Sequence, residues 1–181
     1  EENIMLGNFS YSNPTKLYFG EESLYSLNEE LPKYGKTVQL IYGGGSIKKN
    51  GIYNQVMRLL KDNEKVVVED GGVMPNPTVE KLREGVRIAR ENHVDFLLAV
   101  GGGSVADTAK CIAVGVYDDG DAWEDFYVGN KEVKKAMPVS CILTIAAAGS
   151  EGSNSSVITY KGIKGDLGCE LIRPVLSIMN P

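Results

Sequence analysis

Gly101-Gly102-Gly103-Ser104-Val105-Ala106-Asp107-Thr108-Ala109-Lys110 is the stretch on which the fold turns. Ahead of it, Val94-Asp95-Phe96-Leu97-Leu98-Ala99-Val100 is an apolar run of strand length. Behind it, Val105, Ala109, Ile112 and Ala113 recur at helical spacing. The order is therefore strand, glycine turn, helix. A glycine triplet at such a junction removes every side chain that could hold an anion off the backbone. The first turn of the helix then offers unpaired N–H groups and the positive end of its dipole. Glycines also make plain turns, but a triplet followed by Ser exceeds what a turn requires. A phosphate cradle is the better reading.

The same grammar recurs upstream. Thr37-Val38-Gln39-Leu40-Ile41-Tyr42 runs into Gly43-Gly44-Gly45-Ser46, and a helix bearing Ile52, Val56, Leu59 and Leu60 follows, ending near Asn63. A strand over 65–68, a loop holding Pro75-Asn76-Pro77, and a helix with Val79, Leu82, Val86 and Ile88 lead back to the central strand. Before all this, residues 1–20 carry Phe9 and Tyr11, and 15–19 read as a short strand suited to a sheet edge. Residues 21–34 form a helix interrupted by Pro32. Beyond Gly115 come an acidic turn at Asp118-Asp119-Gly120-Asp121, a short helix over 122–128 and a buried strand over 138–144. The small-residue turn Ala146-Ala147-Ala148-Gly149-Ser150-Glu151 and strands over 157–160 and 175–179 complete the chain. Strands alternating with helices predict right-handed βαβ units: an α/β fold with a Rossmann-like parallel sheet flanked by helices. One domain over 1–181 is expected, with 1–35 as edge strand and helix and 36–181 as the α/β core.

Both glycine triplets follow parallel strands, so both should open at the carboxyl edge of the sheet, where open α/β folds bind ligands. Neither has the spacing of an ATP-type P-loop or the common dinucleotide fingerprint. One ligand with two separated phosphate-bearing parts, such as a phosphorylated dinucleotide, would use both. The remaining composition is that of an ordinary globular protein, with 43% hydrophobic and 24% charged residues. A net charge of -5 with no basic stripe argues against a nucleic-acid partner. No apolar run is long enough to span a membrane, and the N-terminus has no signal-peptide pattern. Cys111, Cys141 and Cys169 lack a C-x-x-C arrangement; Cys111 and Cys141 read as packing residues, and a reducing, cytoplasmic setting fits best.

Val100-Gly101-Gly102-Gly103-Ser104-x-x-Asp107-x-x-Lys110 resembles the cofactor motif of the iron-dependent (group III) alcohol dehydrogenases. Asn13-Pro14-Thr15-Lys16-x-x-Phe19-Gly20, Pro75-Asn76-Pro77, Gly149-Ser150-Glu151 and Arg173-Pro174-x-x-Ser177-Ile178-x-x-Pro181 match the same family. The stretch Tyr42-Gly43-Gly44-Gly45-Ser46-Ile47-Lys48-Lys49-x-Gly51 is similar to its butanol dehydrogenase and NADPH-dependent aldehyde reductase branch. The resemblance implies a dehydroquinate synthase-like N-terminal domain. Gly102, Gly103 and Ser104 would hold the pyrophosphate and Asp107 would lie near the nicotinamide. Asn76 and Thr144 would meet the sugar and phosphate parts. Members that prefer NAD carry an acid in the first turn. Here Gly43, Gly44, Gly45 and Ser46 stand there, with Lys48 and Lys49 nearby, so NADP(H) is expected over NAD(H).

The family reaction exchanges a hydride between the nicotinamide and a small alcohol or aldehyde, with a divalent iron or zinc polarising the substrate oxygen. Its metal ligands, by resemblance, are one Asp and three His in a helical second domain. This sequence has a single histidine, His93, which reads as a surface or capping residue; no catalytic or metal-ligating residue is therefore expected here. The expected helical metal domain is missing, and the favoured reading is the cofactor-binding half of a longer enzyme, not catalytic alone. A stand-alone nucleotide-binding module and a fragment of a dehydroquinate-synthase-like NAD-dependent lyase stand as alternatives. The aromatic N-terminal strand offers an edge for a homodimer. Two departures bear on affinity: Ala148 stands where the family usually has Thr, and Asp166 where a Lys is expected, with Lys164 two positions earlier. An apolar patch is expected near 144–156.

Overall fold

The computed structural model describes residue 8 and residues 10–180; Phe9 and Pro181, used above, lie outside the described residues. Among the described residues eight strands are formed: β1 (Lys16–Phe19), β2 (Thr37–Tyr42), β3 (Val66–Asp70), β4 (Phe96–Gly101), β5 (Val139–Leu143), β6 (Ser155–Tyr160), β7 (Ile163–Gly168) and β8 (Leu176–Met179). Six of them make one sheet in the order β1-β8-β5-β4-β2-β3, and every pairing in it is parallel. The helices are α1 (Leu27–Glu30), α2 (Ser46–Lys49), α3 (Ile52–Asp62), α4 (Val79–Glu91) and α5 (Gly103–Gly115).

Alternation along the strands divides the core into two faces. Val38, Leu40 and Tyr42 of β2 and Phe96, Leu98 and Val100 of β4 pack with Leu27 and Leu31, and with Ile47, Val56 and Leu60 of α2 and α3. The intervening Ile41, Leu97 and Ala99 pack on the other face against Leu82 and Ala89 of α4 and Ala109, Ile112 and Ala113 of α5. A sheet covered on both sides explains why β4 and β5 read as continuous apolar runs. It also fixes the switch point. After β2 the chain leaves on one face and returns to β3; after β4 it leaves on the other and returns to β5. The crevice between those departures opens at the carboxyl ends of β2 and β4.

Strand β1 lies at the sheet edge, as its Pro14 and position predict, and Thr15 Oγ1 donates to the Pro174 carbonyl at 2.8 Å. Glu30, buried beneath this edge, accepts from Tyr18 Oη and from the Lys16 and Lys33 ammonium groups. Burial opposes its charge, but these three donors outweigh it and hold the carboxyl at about 2.

Three elements differ from the sequence reading. The helix expected over 21–34 is a chain of short turns, 3-10 at Ser23–Ser26, α over Leu27–Glu30 and 3-10 again at Leu31–Lys33. The single helix expected after Gly45 is two, because Asn50 and Gly51 interrupt it and Gly51 takes φ +87°. Finally, the strand read at 157–160 belongs to a separate antiparallel hairpin, β6 with β7, closed by Lys161 and Gly162 at positive φ. This hairpin packs on Trp123, which stacks on Tyr127 with ring centres 5.2 Å apart. A Cβ on Gly165 would meet the Trp123 ring at 2.8 Å, so glycine is needed for that close approach.

Candidate functional site

The two glycine turns leave the sheet side by side. Tyr42 is in register with Val100, so Gly43 and Gly101 begin on neighbouring strands, roughly 5 Å apart. Gly101 is in turn paired with Leu143, and Thr144 donates its N–H to the Gly101 carbonyl at 3.0 Å. Gly43, Gly102 and Thr144 thus follow three adjacent strand ends around one crevice. Thr144 also lines a cavity of about 210 Å³ with Ile52, Gln55, Ile178 and Asn180.

Within the second turn the glycines have different duties. A Cβ on Gly101 would strike Val105 Cγ2 at 2.6 Å, so this glycine serves the packing of α5. Gly102 is extended, at φ -86° and ψ -172°, and a Cβ there meets nothing within 4 Å. Its conformation does not require glycine; its bareness leaves the backbone open. The first amide to bond inside α5 is that of Val105, to the Gly102 carbonyl at 3.0 Å. The N–H groups of Gly103 and Ser104 precede it, at the positive end of a thirteen-residue helix. The first turn is built differently. Gly45 needs its glycine for φ +108°, Gly44 and Ser46 are exposed, and α2 has only four residues. Its dipole is correspondingly small, so the helix end adds little to holding a phosphate there.

The loop between β3 and α4 braces the first turn. Gly72 N–H donates to the Gly43 carbonyl at 3.2 Å and Val73 N–H to that of Tyr42 at 3.1 Å. Farther along, Asn76 is exposed at φ +56°, next to Pro77, whose carbonyl accepts Thr159 N–H at 2.7 Å. Asn76 therefore stands between the first turn and the hairpin.

Both carboxylate oxygens of Asp107 are engaged within the fold. Its Oδ1 accepts from Ser150 Oγ at 2.5 Å and its Oδ2 from Val157 N–H at 3.3 Å. Burial pushes its carboxyl up, against those two donors. Lys110, one turn on, is fully buried; its ammonium donates to Ser150 O at 2.6 Å, Ser150 Oγ at 3.2 Å, Ser153 Oγ at 3.0 Å and Ser155 O at 2.9 Å. Burial pushes Lys110 down. The Ser150 hydroxyl thus bridges a buried ammonium to a half-buried carboxylate and ties the 149–155 loop to α5. Ser150 Cβ lies 3.7 Å from where a Cβ on Gly103 would stand, so that loop forms the wall beside the second turn. Ahead of it Ile145 is 68% exposed and Ala146, Ala147 and Ala148 are exposed, the apolar patch expected there. Asp166 accepts from Ser155 Oγ at 2.5 Å, and Lys164 lies on the same hairpin strand opposite Thr159.

Among the described residues no group of three or more His, Cys, Asp or Glu could hold a metal ion. His93 is exposed in the turn between α4 and β4, at the amino edge of the sheet and the far end of β4 from the glycine turn. Iron or zinc does not fit the described residues. Also among the described residues, no helix is long and apolar enough to cross a membrane.

A doubly wound parallel sheet with two open glycine turns at its switch point defines the class: an open α/β protein of Rossmann-like architecture. The chain belongs to the iron-containing alcohol dehydrogenase family, whose sequence model matches residues 14–181. It is 48% identical over 176 residues to the probable NADH-dependent butanol dehydrogenase 2 of Bacillus subtilis, covering 96% of this chain and 45% of that protein. It is 41% identical over 180 residues to the NADPH-dependent aldehyde reductase YqhD of Escherichia coli, covering 97% of this chain and 46% of that protein. The crystal structure of NADH-dependent butanol dehydrogenase A from Thermotoga maritima superposes with a TM-score of 0.91 at 40% identity, over 96% of this chain and 44% of that one. The chain spans about half the length of the curated relatives it matches. Membership of this family sets the lyase alternative aside.

Proposed function

We propose that this chain is the cofactor-holding part of a nicotinamide-dependent alcohol dehydrogenase or aldehyde reductase, and that it takes NADP(H) in preference to NAD(H). The carrying observation is the pair of adjacent glycine turns at the switch point, with Gly102 open to 4 Å and the Gly103 and Ser104 amides ahead of the first helical bond. The bound nicotinamide supplies the hydride chemistry with a small alcohol or aldehyde. The chain's own part is to bind and orient. Gly102, Gly103 and Ser104 present amides to the pyrophosphate, Gly43, Gly44 and Ser46 meet the adenosine ribose, and Asn76 and Thr144 border the groove between them. Asp107 acts indirectly, by holding the Ser150 wall.

The relatives' names include both cofactors, so the preference rests on the first turn itself, where Ser46 offers a hydroxyl and no carboxylate stands. The substrate-polarising metal belongs, in this reading, to a helical domain outside these residues, and this chain alone oxidises no alcohol even with added iron or zinc. Free Cys111, Cys141 and Cys169 fit a reducing cytoplasm, and edge strand β1, with Leu17 57% and Phe19 69% exposed, fits a homodimer contact.

Calorimetric titration with NADPH and NADH tests the reading. Wild type should bind NADPH more tightly, and Ser46→Asp should weaken NADPH about tenfold through like-charge repulsion while changing NADH less. NADH binding as tight or tighter in wild type refutes the preference; no binding of either cofactor refutes the cofactor-holding role.

A further inference from the structure

Beside the first glycine turn lies a charged cluster that the sequence reading did not connect. Lys48, named above only as lying near that turn, sits with its ammonium 4.6 Å from the Tyr53 ring centre and 4.9 Å from that of Tyr42. Its ammonium is also 3.4 Å from Glu69 Oε2. Glu69 has closer partners: Tyr42 Oη donates to its Oε2 at 2.6 Å and Tyr53 Oη to its Oε1 at 2.7 Å. The phenols hold the carboxylate in place, and the same two rings hold the lysine. Tyr42 is itself fixed, because its ring covers the Gly71 backbone so closely that a Cβ there would meet it at 2.7 Å.

The cluster brackets the turn. Tyr42 is the residue before Gly43, and Lys48 donates its backbone N–H to the Gly45 carbonyl at 3.1 Å. The lysine side chain remains 46% exposed and that of Glu69 41%, so both can answer to a charge arriving from solvent. An ammonium 3.4 Å from one carboxylate oxygen is only partly neutralised, and a phosphate dianion offers it a stronger partner.

We propose that Glu69 sets the strength of the cofactor preference: it competes with the ribose 2′-phosphate for Lys48, and so restrains selection of NADP(H) over NAD(H). The inference rests on the cofactor reading above. It follows that Lys48 contributes to binding of the phosphorylated cofactor alone. Glu69 reduces that contribution by its charge, while its hydrogen bonds keep the rings and the lysine in position.

Glu69→Gln separates the two roles, since the amide oxygen still accepts from a tyrosine hydroxyl while the charge is gone. Calorimetric titration of the chain with NADPH and NADH should show Glu69→Gln binding NADPH about two- to fivefold more tightly, the range of one exposed ion pair, with NADH changed by less than about 1.5-fold. Lys48→Met should weaken NADPH by at least about fivefold and abolish the gain from Glu69→Gln in the double variant. The same ordering is expected with 2′,5′-ADP against 5′-AMP as probes, which removes the nicotinamide from the comparison. Circular dichroism of each variant confirms that it is folded. Equal shifts for both cofactors, or none, overturn the role of Glu69, whichever cofactor wild type prefers. If wild type prefers NADH yet Glu69→Gln tightens only NADPH, the cofactor preference falls and the role of Glu69 stands.

Discussion

Gly102→Val abolishes NADPH binding and leaves the fold intact. The second half of that expectation is what makes the first informative. Gly102 is extended rather than left-handed, and its Cβ direction is empty to 4 Å, so a side chain there begins without backbone strain or a clash at Cβ. The space it fills is the approach to the Gly103 and Ser104 amides. A branched side chain there keeps phosphate oxygens beyond hydrogen-bond distance, which should weaken binding about a hundredfold or more. Calorimetry measures the affinity, and thermal melting should stay within a few degrees of wild type. Gly101→Ala is the contrasting case: its Cβ meets Val105 at 2.6 Å, so it should lower stability first. NADPH binding by folded Gly102→Val within about threefold of wild type would remove the phosphate seat from these amides.

Lys110→Met destabilises the chain by about 1–3 kcal/mol, the usual consequence of leaving buried acceptors without their donor. Methionine fills similar volume but donates nothing to Ser150 O, Ser153 Oγ or Ser155 O, and leaves Asp107 with no cation behind the Ser150 hydroxyl. Urea denaturation followed by circular dichroism reads the loss. Lys110→Met with Asp107→Asn should lose less than the two single losses added together, because the second change removes the charge the first one strands. A Lys110→Met loss below about 1 kcal/mol would mean that the ammonium is hydrated in solution and does not clamp the 149–155 loop.

Most of the fold was legible because the strongest signals are local. Six-residue apolar strands ending in glycine triplets announce themselves, and both triplets occur where the sequence places them. Sheet order is not local: the register that sets Gly43 beside Gly101 depends on β4 inserting between β5 and β2. Strand β7 escaped because, of Ile163–Gly168, only Leu167 is buried, so no alternation shows; the Lys161-Gly162 pair was its one available signal. The break in the helix after the first turn has its local signal in Asn50-Gly51.

Site residues divide the same way. Gly102, Gly103 and Ser104 could be named from their junction, since the chemistry lies in the backbone. The orientation of Asp107 could not, because its partners Ser150 and Val157 lie more than forty residues away. Lys110 reads as a solvated lysine in any local window, and only the 150–155 loop, brought in by tertiary structure, supplies its acceptors. Glu69 likewise gains meaning only when parallel pairing lays β3 beside β2 and brings Tyr42 to it.

The most direct measurement is a crystal of this chain soaked in NADPH. The account predicts pyrophosphate density against the amides of Gly102, Gly103 and Ser104, with the 2′-phosphate beside Ser46 and Lys48. Pyrophosphate bound anywhere but that turn, or a cofactor that touches neither glycine triplet, would contradict it.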